Sequence, residues 1–318
     1  QCKKCAENGL NVIFPIIVVL AMIGFVIFLV WSTVVKRLGT QGTFHESDGA
    51  KKIFISYLQL TASVTAMDIP WPANYVAVFK AQALASSVGE EFIDVRCAMT
   101  DPATIASIEY GKVLVYALLP IILVCLSAGF WVYCGRCLNI PRAKRNATMT
   151  GTIVLLLYLL YPSITAKTLG LWKCHEMEGI GSIFVVDPEV LCDSRVHRLW
   201  QNAVGVPCIL LYIIGLPLFA IILLYRFRHK LLEPNTCIRF GLLYDGFKTE
   251  SYMHEFFVVL RKVLIIVIAI FEDKVQVLLC LGVVGMLLTH TVMTRPFQTE
   301  FLTRLEIFLL SCSFLTLW

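Results

Sequence analysis

Residues 12–35 form a run of 24 residues without a charge, longer than the ~20 apolar residues needed to cross a hydrocarbon core. Residues 113–133, 149–166, 203–225 and 275–294 are further charge-free runs. Such segments must satisfy every backbone N–H and C=O internally if they lie in lipid, which leaves helices or closed barrels. Barrel strands alternate over ~10 residues. These runs do not alternate, so the expected class is all-α: a polytopic transmembrane helix bundle. Composition agrees, with 58% hydrophobic and 15% charged residues against about half and about a quarter in soluble domains. The first run exceeds the ~7–15 residues of a signal-peptide core and ends on Lys36-Arg37, so it reads as a span. The start at Gln1-Cys2 and the end inside an apolar run at Trp318 suggest a segment of a larger chain.

Orientation follows from Lys and Arg in the loops. Residues 36–52, 136–145, 226–248 and 295–304 hold most of them and are expected on the cytoplasmic side. One further crossing is then needed between Lys52 and Lys112, and residues 53–71 are the best candidate. Ser, Thr and Gln throughout that stretch, with Asp68 near its end, suit a helix surrounded by other helices. Residues 75–88 are amphipathic and are placed on the outer interface. The resulting expectation is about eight spans, at 12–35, 53–71, 112–133, 149–171, 203–225, 255–271, 275–294 and 304–318. Residues 1–11 would be the end of an extracellular Cys-rich stalk, and 12–318 a multi-helix transmembrane domain. Pro120, Pro162, Pro207 and Pro217 fall in or at the ends of spans, where each removes a backbone hydrogen bond.

Cys2, Cys5, Cys97, Cys174 and Cys192 fall on the expected outer side, where disulfides form. Cys174 and Cys192 bracket one outer loop, with Cys97 as a rival partner for either. Cys134-Gly-Arg-Cys137 has metal-site spacing but lacks a nearby second pair for a four-ligand zinc site. Palmitoylation of juxtamembrane cysteines is the more plausible fate.

Ionisable residues inside spans are costly and mark candidate functional positions. Glu255 opens the sixth span, and Arg261 lies ~9 Å deeper along the helix, followed by Lys262. Snorkelling is expected to return both cations to the inner headgroups; the alternative is a cytoplasmic gate or a site for anionic lipid headgroups. Arg304 and Glu306 open the last span on different helix faces, so Glu306 should face another helix, with Arg261 a possible partner. Lys167 and Asp68 could meet similarly, and His290 reads as a helix-packing residue.

The sequence contains no Gly-x-Ser-x-Gly, His-Glu-x-x-His or Gly-rich phosphate loop. Neither an enzyme nor a cofactor is expected, and no basic run with interleaved aromatics suggests nucleic acid. Cys2-Lys-Lys-Cys5 before the first span, Lys52-Ile-Phe-Ile-Ser-Tyr-Leu-Gln59, Arg239-Phe-Gly-Leu-Leu-Tyr-Asp-Gly246 and Arg295-Pro-Phe297 followed by Leu305-Glu306 form an arrangement that resembles TRP-like polytopic membrane proteins of protists, algae and fungi. The resemblance spans most of the chain and implies a cation channel or channel-like sensory protein in a plasma or ciliary membrane. Membrane lipids, a second copy or other channel subunits would be its partners. A TRP pore loop lies between the last two helices, and Glu272–Lys274 leaves no room for one between the sixth and seventh spans. The alternative is an anchor or receptor for an extracellular filament or matrix protein. A transporter ranks last, because no internal repeat is visible.

Overall fold

The computed structural model describes residues 10–36, 46–65, 102–137, 139–177, 179, 181–187, 190–231, 233–271 and 273–318. Among them the fold is mostly helical. Helix α1 (Leu10–Val30) continues through a π turn at Trp31–Val35, and α2 is Glu46–Thr65. Helices α3 (Pro102–Cys137) and α4 (Arg142–Gly170) lead into a hairpin of β1 (Cys174–Met177) and β2 (Gly181–Phe184). Helix α5 (Arg195–Phe227) contains π turns at Gln201–Gly205 and Ile209–Ile214. Then follow α6 (Pro234–Tyr244), α7 (His254–Ile268), α8 (Asp273–Thr294) and α9 (Glu300–Leu317). The helical expectation holds apart from one short hairpin, whose antiparallel register pairs Cys174 with Phe184 and Met177 with Gly181. Its reversal uses Gly179 and Gly181 at φ +84° and +102°, a region open to glycine without steric cost.

Four helices are long and apolar enough to cross a membrane: the Ile108–Cys137 part of α3, α4, α5 and the Val275–Thr294 part of α8. The expected count of eight is corrected to these four among the described residues. The others fall short for identifiable reasons. The described apolar stretch of α1 is Ile23–Val35, α7 has 15 residues, α2 carries Glu46, Asp48, Lys51 and Lys52, and α9 carries Glu300, Arg304 and Glu306. Helices α2 and α4 also begin seven residues before the expected spans at 53 and 149. Residues 66–71, the 75–88 segment, Cys2, Cys5, Cys97 and Asp68 lie outside the described residues.

Burial separates an inner helix from outer ones. In the apolar windows of α3, α5 and α8, 11%, 17% and 17% of residues are buried, against 56% in α4. Leu118, Ile121, Leu126 and Phe130 of α3 and Leu210, Leu218, Phe219 and Ile222 of α5 are exposed. Soluble monomers rarely show apolar surface on this scale. Helix α4 packs against α3, α5, α6 and α7. Gly151 permits the close approach to α6, because a Cβ there would overlap the carbonyl of Ile238.

The proline defect of α5 is repaired by a neighbouring helix. Pro217 has no N–H to offer the carbonyl of Ile213, and Tyr161 of α4 donates its hydroxyl to that oxygen at 3.0 Å. Tyr212 of α5 also donates to the carbonyl of Ala117 on α3 at 2.7 Å. In an apolar surrounding, a carbonyl without a partner costs far more than in water.

Candidate functional site

Three of the helices that fall short as lipid-facing spans, α2, α7 and α9, meet along polar stripes. Lys52, Ser56 and Gln59 recur at helical spacing and so share one face of α2. Glu255, Arg261 and Lys262 come from α7, and Glu306 from α9. Lys52, Ser56, Gln59, Glu255, Arg261, Lys262 and Glu306 are all 2–7% exposed. Snorkelling of Arg261 and Lys262 to headgroups is therefore corrected: both are enclosed by protein. The reason is tertiary, since α2 and α4 pack against α7 and Glu306 of α9 reaches Arg261.

Arg261 Nη1 donates to Glu306 Oε1 at 3.0 Å, so Glu306 faces another helix and the suggested pair forms. The other terminal nitrogen of Arg261 donates to Ser56 Oγ at 3.1 Å. Lys52 Nζ lies 2.6 Å from Glu255 Oε2, close as an ion pair but off hydrogen-bond geometry. It also sits 4.4 Å from the Phe247 ring centroid. On the α4 side, Lys262 Nζ donates to Tyr158 Oη at 3.1 Å and lies 4.2 Å from that ring. A void of about 10 Å³ lies among Lys52, Ser56, Tyr158, Asp245, Glu255 and Glu306, at the bottom of the ~10–15 Å³ needed to hold one water. Glu255 Oε1, Arg261 Nε and both amide atoms of Gln59 are buried without a hydrogen bond among the described residues.

An aromatic layer closes the loop end of this network. Phe247 and Phe297 are 5.0 Å apart, His254 lies 5.1 Å from Phe247, and His254 stacks on His290 at 5.4 Å. Lys248 N donates to Pro296 O and Gln298 N to Gly246 O, both at 2.8 Å, which ties the loop before α7 to the loop before α9. His290 thus packs against α7 through ring contacts with His254 and Phe257, and its Nδ1 has no hydrogen bond among the described residues. Arg304 stands outside the network: it is exposed and bonds Glu300 at 2.7 Å across one turn of α9.

The far end of the bundle is held differently. Cys174 and Cys192 are joined, so the outer-loop pairing forms and Cys97 is not its partner. Beside them His197 is fully buried. Its Nε2 lies 2.9 Å from the carbonyl of Leu171, which can only accept, so Nδ1 is left to accept from Tyr110 Oη at 2.9 Å. Tyr110 stacks on Trp200 at 5.0 Å. Tyr158 on α4 and Leu171 just past its end are thirteen residues apart, so ~20 Å separates the two clusters along that helix. Cys174, Cys192 and His197 are close enough to share a metal, but the disulfide occupies both sulfurs.

Sequence reasoning missed Lys52, Ser56 and Tyr158. The spacing of 52, 56 and 59 was the available signal for α2. Nothing local marks Tyr158, whose role depends on α7 lying against α4. The network can hold α2, α7 and α9 in one register. Burial makes removal of one partner of such a pair costly, about 3–5 kcal/mol. Comparison with protein-family models, curated proteins and solved structures finds no match to this chain.

Proposed function

We propose that the chain is an integral membrane protein, the membrane domain of a channel-like sensory protein of the TRP-like kind, with the buried charge network as the latch between its helices. The observation that carries this reading is the pairing of Arg261 with Glu306 and of Lys52 with Glu255 inside an otherwise apolar bundle. Charges enclosed at these depths are retained where helices must hold one arrangement and be able to exchange it for another. Helices α2, α7 and α9 turn their charges inward and expose Phe54, Leu260, Leu264, Phe308 and Leu315 on their outer faces, and the four basic loops face the cytoplasm. The turn between α7 and α8 is short, with α7 ending at Ile268 and α8 starting at Asp273. Conduction would therefore use a path elsewhere.

The test is patch recording of the full-length protein in a bilayer, with Arg261 and Glu306 substituted singly and together. The expected result is a current whose threshold moves in both single variants and returns toward the parent in the pair. Absence of current under voltage, stretch and ligand overturns the channel reading. A second reading, an anchor for an extracellular filament or matrix protein, is favoured by the disulfide-stapled hairpin, which exposes His175, Glu176 and Met177.

A further inference from the structure

Helix α3 ends on Cys134-Gly-Arg-Cys137, and its two thiols have different surroundings. Positions 127, 131 and 135 share one face of the helix, and Ser127, Trp131 and Gly135 are buried there. That face meets α4: Trp131 Nε1 donates to Thr152 Oγ1 at 3.0 Å. Gly135 leaves room for the Arg145 side chain, which a Cβ there would overlap. Cys134 borders this packed face and is half-buried. Positions 126, 130, 133 and 137 recur at helical spacing on another face. Leu126, Phe130 and Tyr133 are exposed, and Cys137 is exposed in line with them.

This stripe sets Cys137 on the boundary between two solvents. On one side of it the outer face of α3 runs through the charge-free residues 113–133 and is solvated by lipid. On the other side stand Arg136, Arg142 and Lys144, all exposed, which suit anionic headgroups of the inner leaflet. A thiol reacts as its thiolate, so it needs water within reach, and a chain attached here can fold back along the apolar face. Cys125 is exposed too, but it lies twelve residues, ~18 Å, deeper along the helix. Hydrocarbon at that depth disfavours an ionised sulfur.

We propose that Cys137 is the S-acylation site of this chain, carrying a long-chain fatty acyl group laid along Leu126, Phe130 and Tyr133. The Cys137 thiolate attacks the carbonyl carbon of a long-chain acyl-CoA. The new bond to Sγ forms as the bond to the CoA sulfur breaks, and CoA leaves as a thiol with the proton that Cys137 gave up. One thioester replaces another, so no oxidant or reductant is consumed. The attached chain fastens the turn between α3 and α4 to the inner leaflet. The inference rests on the reading that the basic loops face the cytoplasm, the side that supplies acyl-CoA.

The experiment expresses the full-length chain in eukaryotic cells and applies three maleimides of different mass. An impermeant one reacts with outward-facing thiols on intact cells, and a second blocks the remaining free thiols after lysis. A third marks the thiols that hydroxylamine releases from thioesters. Trypsin cuts after Arg136 and Arg142, so the peptide Cys137–Arg142 reports Cys137 apart from Cys134. The expected result is the third reagent on Cys137, lost when hydroxylamine is omitted, and the second reagent on Cys134. Chains captured through an alkynyl palmitate fed to the cells should be enriched severalfold in the third reagent at Cys137; equal levels overturn the long-chain acyl group. The second reagent on Cys137 overturns acylation while leaving the orientation of the loops in place, whereas the first overturns both. The third reagent on Cys134 in place of Cys137 overturns the assignment, as does recovery of Cys137 only after reduction of a disulfide.

Discussion

Replacing Glu306 by Leu leaves Arg261 at 3% exposure with Ser56 as its remaining described hydrogen-bond partner. Unit charges about 4 Å apart attract by about 4 kcal/mol at an effective dielectric of about 20. Breaking one side of a buried pair typically costs about 3–5 kcal/mol, whereas replacing both sides with apolar residues of similar volume is often neutral. Four proteins are therefore compared: the parent, Glu306→Leu, Arg261→Met and the double variant. The assay is the thermal midpoint of the purified chain in one detergent at one protein concentration. Each single variant is expected to melt about 5 °C or more below the parent, and the double to recover most of that loss. The coupling free energy should then be at least about 2 kcal/mol. Single variants that melt with the parent, or a double whose loss is the sum of the singles, would refute a buried and mutually compensating pair.

Further outcomes follow from the same contacts. Glu255→Gln should destabilise by several kcal/mol on the scale of a broken buried pair, while Glu300→Gln, at an exposed pair with Arg304, should stay within about 0.5 kcal/mol; paired thermal melts check the contrast. Tyr161→Phe removes the donor to the Ile213 carbonyl and should cost about 1 kcal/mol, less in a Pro217→Ala background that restores a backbone N–H. Cys192→Ser opens a loop with a sequence separation of 18 and should cost about 3 kcal/mol in the chain-entropy account. It should also expose Cys174 to maleimide labelling, whereas the parent labels there only after reduction.

The long apolar helices were legible because lipid solvation demands runs without charge, and residues 113–133 and 203–225 state that directly. Their ends were not. Residues 46–52 read as a charged loop, yet Glu46 and Asp48 occupy the first turn of α2, where acidic groups favour a helix. Arg261 and Lys262 read as snorkelling because their distance from a helix end permits it. The spacing of Arg304 and Glu306 pointed to the Glu306 partner, but Ser56 and Tyr158 converge from far away in sequence, which no local pattern encodes. The hairpin was missed for a different reason. Each strand has four residues, and alternation over so short a stretch cannot be told from loop.

The stapled hairpin has a mechanical consequence. Cys174–Cys192 and the His197–Leu171 contact fasten α4 to the start of α5 by a covalent bond and a fully buried side chain, while about 20 Å away the helices are joined by reversible ionic contacts. The clasp joins α4 to α5, whereas the ionic contacts join α2, α7 and α9. Reductant would act on the first and charge neutralisation on the second, so the two ends of the bundle are held by separate chemistries.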